Sequence, residues 1–177
     1  LWYLGQAAQR VGRVEVVHTE HSDHVAHAKH WWPKIKTRLM WRETSRWAGR
    51  FCGVSEDIAA SVRRWGTVPR GKVCVVLNGI DTEVYADRSG REAVRAELGV
   101  GQAEMLIGTV GRLVEVKRQD LLIRAFARVC RQFDKARLVL VGDGEERGRL
   151  ESLVNELKLR ERVLFAGYQA QPQRFYQ

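Results

Sequence analysis

Short apolar runs alternate along this chain with longer segments whose apolar positions return every three or four residues. The clearest case is the stretch 105–126, MLIGTVGRLVEVKRQDLLIRAF. Its first six residues read as a buried strand and Gly111-Arg112-Leu113 as a tight loop. From Lys117 onward Leu121, Leu122, Ala125, Phe126 and Val129 share one face of an amphipathic helix. The alternation continues on both sides. Helices are predicted over 1–11, from Pro33 to about Trp47, from a Ser55 N-cap to Gly66, over 91–98 and over 145–159. Strands are predicted over 13–17, 50–54, 72–77, 137–141 and 163–165. Residues 22–30 read as loop, Asn78-Gly79 and Gly167 as turns, and Pro69-Arg70-Gly71 as the best linker. Strands alternating with helices of this length imply βαβ units and parallel sheets, an α/β class. Ligands on such sheets bind at the carboxyl ends of the strands. His18, Ser55, Gly111-Arg112, Gly142-Asp143-Gly144 and Gly167-Tyr168 all fall at such ends in this reading.

Composition narrows the picture. The 177 residues suffice for one large domain or parts of two, and the net charge of +9 suits nucleic acid, anionic headgroups or phosphorylated small molecules. Acidic residues interleave with the basic ones after position 81, which argues against a dedicated nucleic-acid arm. No run approaches the ~20 apolar residues of a membrane span. Cys52, Cys74 and Cys130 are far apart and form no CxxC, so free thiols in a reducing, cytoplasmic setting are expected. Residue 1 is Leu, and both ends look cut.

Several patterns carry chemistry. Arg112 and Lys117 lie beside a helix start, where backbone N–H groups are unsatisfied, and two cations there suit a phosphate or diphosphate. A solvated basic turn is the other reading, and charge and spacing alone leave both open. His18, His21, His24, His27 and His30 recur every third residue, but their placement in a strand end and a loop argues against a metal cluster. A single working histidine, His18, is the better expectation. Trp31, Trp32, Trp41 and Trp47 sit among Lys and Arg, the pattern of an interfacial membrane contact or of a helix with buried Trp and solvated charges. Gly142-Asp143-Gly144 is followed by Arg147, so a dinucleotide GxGxxG is not formed, and P-loop, GxSxG and HExxH patterns are missing.

Five segments taken together resemble a family 4 (group 1) glycosyltransferase of GT-B fold: FCGVSEDIAASV (51–62), VCVVLNGIDTEVY (73–85), IGTVGRLVEVKRQDLLIRAF (107–126), ARLVLVGDGEERGRLESL (136–153) and RVLFAGY (162–168). The stretch HTEHSDH (18–24) is similar to members from bacterial exopolysaccharide or envelope-glycan synthesis. The resemblance implies two Rossmann-like domains with parallel sheets, both incomplete. Residues 1–70 would be the back part of the acceptor-side domain, and residues 71–177 the front part of the nucleotide-sugar domain. It implies that Gly111, Arg112 and Lys117 hold the donor diphosphate, that Tyr168 and Gln169 meet the nucleobase, that Arg174 is a further donor contact, and that His18, followed by Thr19, is the catalytic group near the reacting sugar. It also implies retention of anomeric configuration, assistance by the leaving diphosphate, no essential metal, and no cofactor beyond the nucleotide-diphosphate sugar. The family's E-x7-E motif would lie beyond Gln177 and its N-terminal Gly-rich loop before Leu1, so the chain alone is expected to have little or no transferase activity. The expected partners are a nucleotide sugar and a glycan or lipid-linked acceptor, with no nucleic acid. The expected place is the cytoplasm, with the inner face of the membrane as an option. The rival readings are a membrane-surface module built on the Trp- and Arg-rich helix and a sugar-nucleotide epimerase of the same fold.

Overall fold

The computed structural model describes residues 7, 8, 10–12, 14–23, 25 and 30–176. The helix expected over 1–11 and the expected loop positions His24 and His27 lie wholly or largely outside them. The chain divides into two compact units, Leu1–Ile80 and Asp81–Gln177. Each holds a three-stranded parallel sheet, in the order β1-β2-β3 and β4-β5-β6, the α/β arrangement expected from the alternating pattern.

In the first unit β1 (Val17–Glu20), β2 (Arg50–Gly53) and β3 (Val73–Val75) run in parallel register, with His18 opposite Phe51 and Phe51 opposite Val73. Helix α1 (Trp31–Trp47) joins β1 to β2, and α2 (Glu56–Trp65) joins β2 to β3. Pro33 lies in the first turn of α1, where its missing N–H has no partner to lose. Ser55 caps α2 as predicted, accepting from the Ile58 amide at 3.3 Å, with Glu56 and Asp57 in the first turn. Trp41, Phe51, Ala59, Val62, Val68 and Val73 form the core.

Two expectations are corrected here. The first strand covers 17–20, not 13–17, so His18 lies inside the strand and not at its end. Its inward positions are the polar His18 and Glu20, both buried, while Val14 and Val17 are exposed. A hydrophobic pattern cannot find a strand whose buried face is polar. The second correction concerns Pro69-Arg70-Gly71, which is no linker. A 3-10 turn over Arg70–Lys72 is pinned to the first unit. The Lys72 ammonium donates to the Ser45 and Ala48 carbonyls at 2.7 and 2.9 Å, closing the carboxyl end of α1, and the Arg50 guanidinium donates to the Gly71 carbonyl at 3.1 Å. Strand β3 then pairs with β2, so the boundary falls after Ile80 and not after residue 70.

The second unit opens with two short helices, α3 (Thr82–Ala86), capped by Asp81, and α4 (Arg91–Glu97). Strands β4 (Met105–Val110), β5 (Ala136–Val141) and β6 (Val163–Gly167) follow, separated by α5 (Gln119–Val129) and α6 (Arg147–Glu156). β5 is central and buried from Leu138 to Val141. Leu113, Ile123, Phe126, Leu138, Leu140, Leu150 and Val154 pack together between sheet and helices. Each such side chain contributes roughly 1.5–3 kcal/mol by leaving water. A 3-10 segment, Pro172–Tyr176, closes the unit, with Tyr176 edge-on to Tyr85 of α3.

Candidate functional site

The carboxyl ends of β4, β5 and β6 are joined to one another by backbone. The Gly111 amide donates to the Val141 carbonyl at 2.9 Å, Leu113 to Asp143 at 3.0 Å, and Gly142 to Gly167 at 2.8 Å. The Glu146 amide returns to the Leu113 carbonyl at 3.0 Å. Such contact needs glycine. At Gly142, where φ is +133°, a Cβ would fall on the Gly111 carbonyl, and at Gly144 on the Leu113 carbonyl. The Leu113 side chain is fully buried and anchors the loop from below. Buried Gln119, at the start of α5, donates its amide to the Arg112 carbonyl at 3.0 Å. The backbone of Arg112 is therefore held on both sides while its side chain stays exposed.

Charge pairing separates the cations around these loops. Arg118, the left-handed residue that starts α5, makes two bonds to Asp120 at 3.0 and 3.2 Å. Those bonds hold the Asp120 carboxyl below the usual carboxylate range. Arg147 pairs with Glu151 and Asp143 at 2.9 and 3.3 Å and lies over the Phe165 ring, and Arg149 pairs with Glu146. Among the described residues no ion pair involves Arg112 or Lys117. Lys117 ends a 3-10 turn over Glu115–Lys117, just ahead of α5, and is exposed. Two unpaired cations thus flank a helix start on a rigid loop, an arrangement that favours a dianionic oxygen cluster.

The other predicted residues separate. Tyr168 follows β6 and is 79% exposed, and the Gln169 amide donates back to the Ala166 carbonyl at 2.9 Å. Both stand at the same ends of the sheet as Gly142. Arg174 does not join them. It pairs with Glu97 at 2.8 Å and lines a cavity of about 250 Å³ with Arg95, Met105, Leu106, Gly108 and Val139, from the amino end of β4 to the middle of the sheet. His18 belongs to the first unit. Its ring lies tilted at 42° against Phe51 with the centroids 4.3 Å apart, and its Nε2 lies 3.4 Å from Glu20 Oε2. The Trp41 indole N–H donates to that same oxygen at 2.8 Å. His18 and Glu20 line a shallow cavity of about 360 Å³ with Thr19, His21 and Met40. Gln119 and Glu20 were not singled out by sequence. The only signal for Glu20 was its place two residues after His18, which puts both on one strand face. Among the described residues no group of three His, Cys, Asp or Glu side chains is placed to hold a metal ion.

The two halves of the chain match two family descriptions: residues 1–84 match "Glycosyltransferase Family 4" and residues 90–177 match "Glycosyl transferases group 1". The chain belongs to the group 1 glycosyltransferases of GT-B fold. An uncharacterized glycosyltransferase of Methanocaldococcus jannaschii is 42% identical over 106 residues, covering 60% of this chain and 26% of that protein. The N-acetyl-alpha-D-glucosaminyl L-malate synthase of Bacillus anthracis is 35% identical over 101 residues, covering 57% of this chain and 26% of that enzyme. Among solved structures, HepE of Anabaena in complex with UDP-glucose superposes with a TM-score of 0.79 at 25% identity, covering 98% of this chain and 47% of HepE. This group 1 chain therefore spans about a quarter of the length of these curated relatives and about half that of HepE. The match boundary between residues 84 and 90 agrees with the division of the structure near Ile80.

Proposed function

We propose that this chain supplies the donor diphosphate site of a glycosyltransferase that moves a sugar from a nucleotide-diphosphate donor to a glycan or lipid-linked acceptor with retention. The observation that carries the reading is the pair Arg112 and Lys117, unpaired and exposed on a loop whose backbone is locked by Gly142, Gly144 and Gln119. As the glycosidic C–O bond breaks, negative charge gathers on the leaving diphosphate. Cations carried on a loop already held at that place stabilise the transition state more than the ground state. The charge is neutralised by side chains, so this role needs no metal ion. The exposed Tyr168 ring offers a face to the nucleobase, with Gln169 beside it, and His18 is the group assigned to the sugar. The UDP-glucose complex of HepE supports a nucleotide-sugar ligand.

Calorimetric titration of the chain with UDP-glucose, and with GDP- and ADP-glucose as base controls, tests this. Arg112→Ala and Lys117→Ala are each expected to weaken binding about tenfold, roughly 1.4 kcal/mol. Arg149→Ala, whose guanidinium already has an acidic partner, should change it little. Equal affinity in all four proteins, or no binding of any nucleotide sugar, would overturn the assignment.

A second reading, compatible with the first, concerns α1. Trp31 and Trp32 stack at 4.7 Å and are 62% and 64% exposed, and Leu39 on the same helix is 54% exposed. Lys34, Lys36, Arg38, Arg42 and Arg46 share that helix with one acid, Glu43, paired to Arg46. Exposed indoles on a helix that also carries these cations fit the headgroup layer of an anionic leaflet and would give the protein a peripheral place at a cytoplasmic membrane face. No helix among the described residues is long and apolar enough to cross a membrane. Cosedimentation with phosphatidylglycerol vesicles should be strong at low salt and lost in Trp31→Ala/Trp32→Ala. Equal recovery on phosphatidylcholine vesicles would refute it.

A further inference from the structure

Cys52 and Cys74 are 22 positions apart in sequence but directly opposite each other on β2 and β3. Their Sγ atoms lie 2.9 Å apart. In a parallel sheet, opposed residues point to the same face, and neighbouring strands are about 4.8 Å apart. That spacing lies inside the window of about 4.4–6.8 Å between Cα atoms that a disulfide requires. The alternation of the strands explains the segregation. Phe51 and Val73 face α2 and enter the core, so Cys52 and Cys74 face the other way, in one row with Thr19 of β1. Cys52 is buried, and Cys74 is partly exposed.

We propose that Cys52 and Cys74 form a redox modification site, closing to a disulfide between β2 and β3 with a peroxide and reopening with a dithiol reductant. The more exposed Cys74 reacts first. Its thiolate attacks one peroxide oxygen, the O–O bond breaks, and the departing hydroxide leaves as water, giving a sulfenic acid. Cys52 then attacks that sulfur, the S–O bond breaks, and the hydroxyl leaves as water with the Cys52 proton. Two thiols and one hydrogen peroxide become one disulfide and two waters. The Cys52 thiol is pushed up to about 11, by burial first and then by its contact with Cys74. It therefore serves as the resolving group, and closure is slow at neutral pH and faster as pH rises.

The test uses the intact chain treated with hydrogen peroxide and mapped by mass spectrometry without reduction. The expected product is a peptide pair joining Cys52 to Cys74, lighter by about 2 Da than the two free peptides, with Cys130 still alkylated. Dithiothreitol should restore both thiols. In Cys52→Ser the reaction should stop at a sulfenic acid on Cys74 that dimedone captures, and in Cys74→Ser no intramolecular disulfide should form. Cys74→Ser alters a partly exposed site, so it remains informative if the Cys52 variant fails to fold. Three free thiols after peroxide that oxidises glutathione fully, over-oxidation of Cys74 without a disulfide, or a bond involving Cys130 would each overturn the proposal.

Discussion

Gly142 and Gly144 show how single atoms set the loop geometry. Each allows a carbonyl of the facing loop to sit where a Cβ would be, and Gly142 also holds a φ of +133°. Gly142→Ala and Gly144→Ala should therefore cost at least about 1–3 kcal/mol, since strain and displaced backbone add. Urea unfolding measures that loss, and a calorimetric titration should show weakened UDP-glucose binding with it. Gly148 is the contrast. It lies in the first turn of α6 with open space around its Cα, and Gly148→Ala should leave stability unchanged or raise it by up to about 1 kcal/mol. A stable Gly142→Ala protein with normal affinity would show that the two loops do not depend on this contact.

At the scale of elements, ends and junctions matter more than interiors. Ser55 caps α2 through the Ile58 amide, so Ser55→Ala should lower stability by about 1 kcal/mol. Glu104 ties the start of β4 to β5: it accepts from Arg137 Nε at 2.8 Å and from the Gly101 amide at 2.7 Å. The Arg137 bond, then the backbone bond, hold the Glu104 carboxyl below its ordinary value. A group lowered on folding stabilises the native state above its unfolded pKa and loses that contribution as pH falls through the folded one. Wild type should thus exceed Glu104→Gln in thermal midpoint at pH 7, and the gap should narrow as pH falls from the unfolded carboxylate value of about 4.3 through the lower folded one. A gap that persists unchanged at pH 3 would assign the difference to packing.

For the whole molecule the decisive feature is the division near Ile80. Residues 76–84 are all exposed, running from the end of a strand tied to the first sheet into the first residues of the helix that opens the second unit. Limited proteolysis should cut first in this stretch and leave two resistant fragments. First cuts at Arg70 or Lys72 would instead favour a boundary at Pro69-Arg70-Gly71. Lys72 argues against that outcome, because its ammonium is bound to two carbonyls at the end of α1.

Periodicity in the sequence was enough for the α/β class, the parallel sheets and every strand of the second unit. Those strands are short, mostly apolar runs set between amphipathic helices, with the central β5 buried from Leu138 to Val141, and such patterning is read directly from residue type. It was also enough to place Arg112 and Lys117 at a strand-to-helix loop. Three things needed the folded chain. The first strand escapes the hydrophobic pattern because its inward residues, His18 and Glu20, are polar, and their partners include each other and Trp41, far along the sequence. The unit boundary was set too early because a Pro-Gly stretch looks like a linker until Lys72 and Arg50 bind it. Which cations remain unpaired, and which cysteines meet, depends on distances between side chains on different strands and turns. Local patterning decides what each segment becomes, and only the register between segments decides what its polar groups touch.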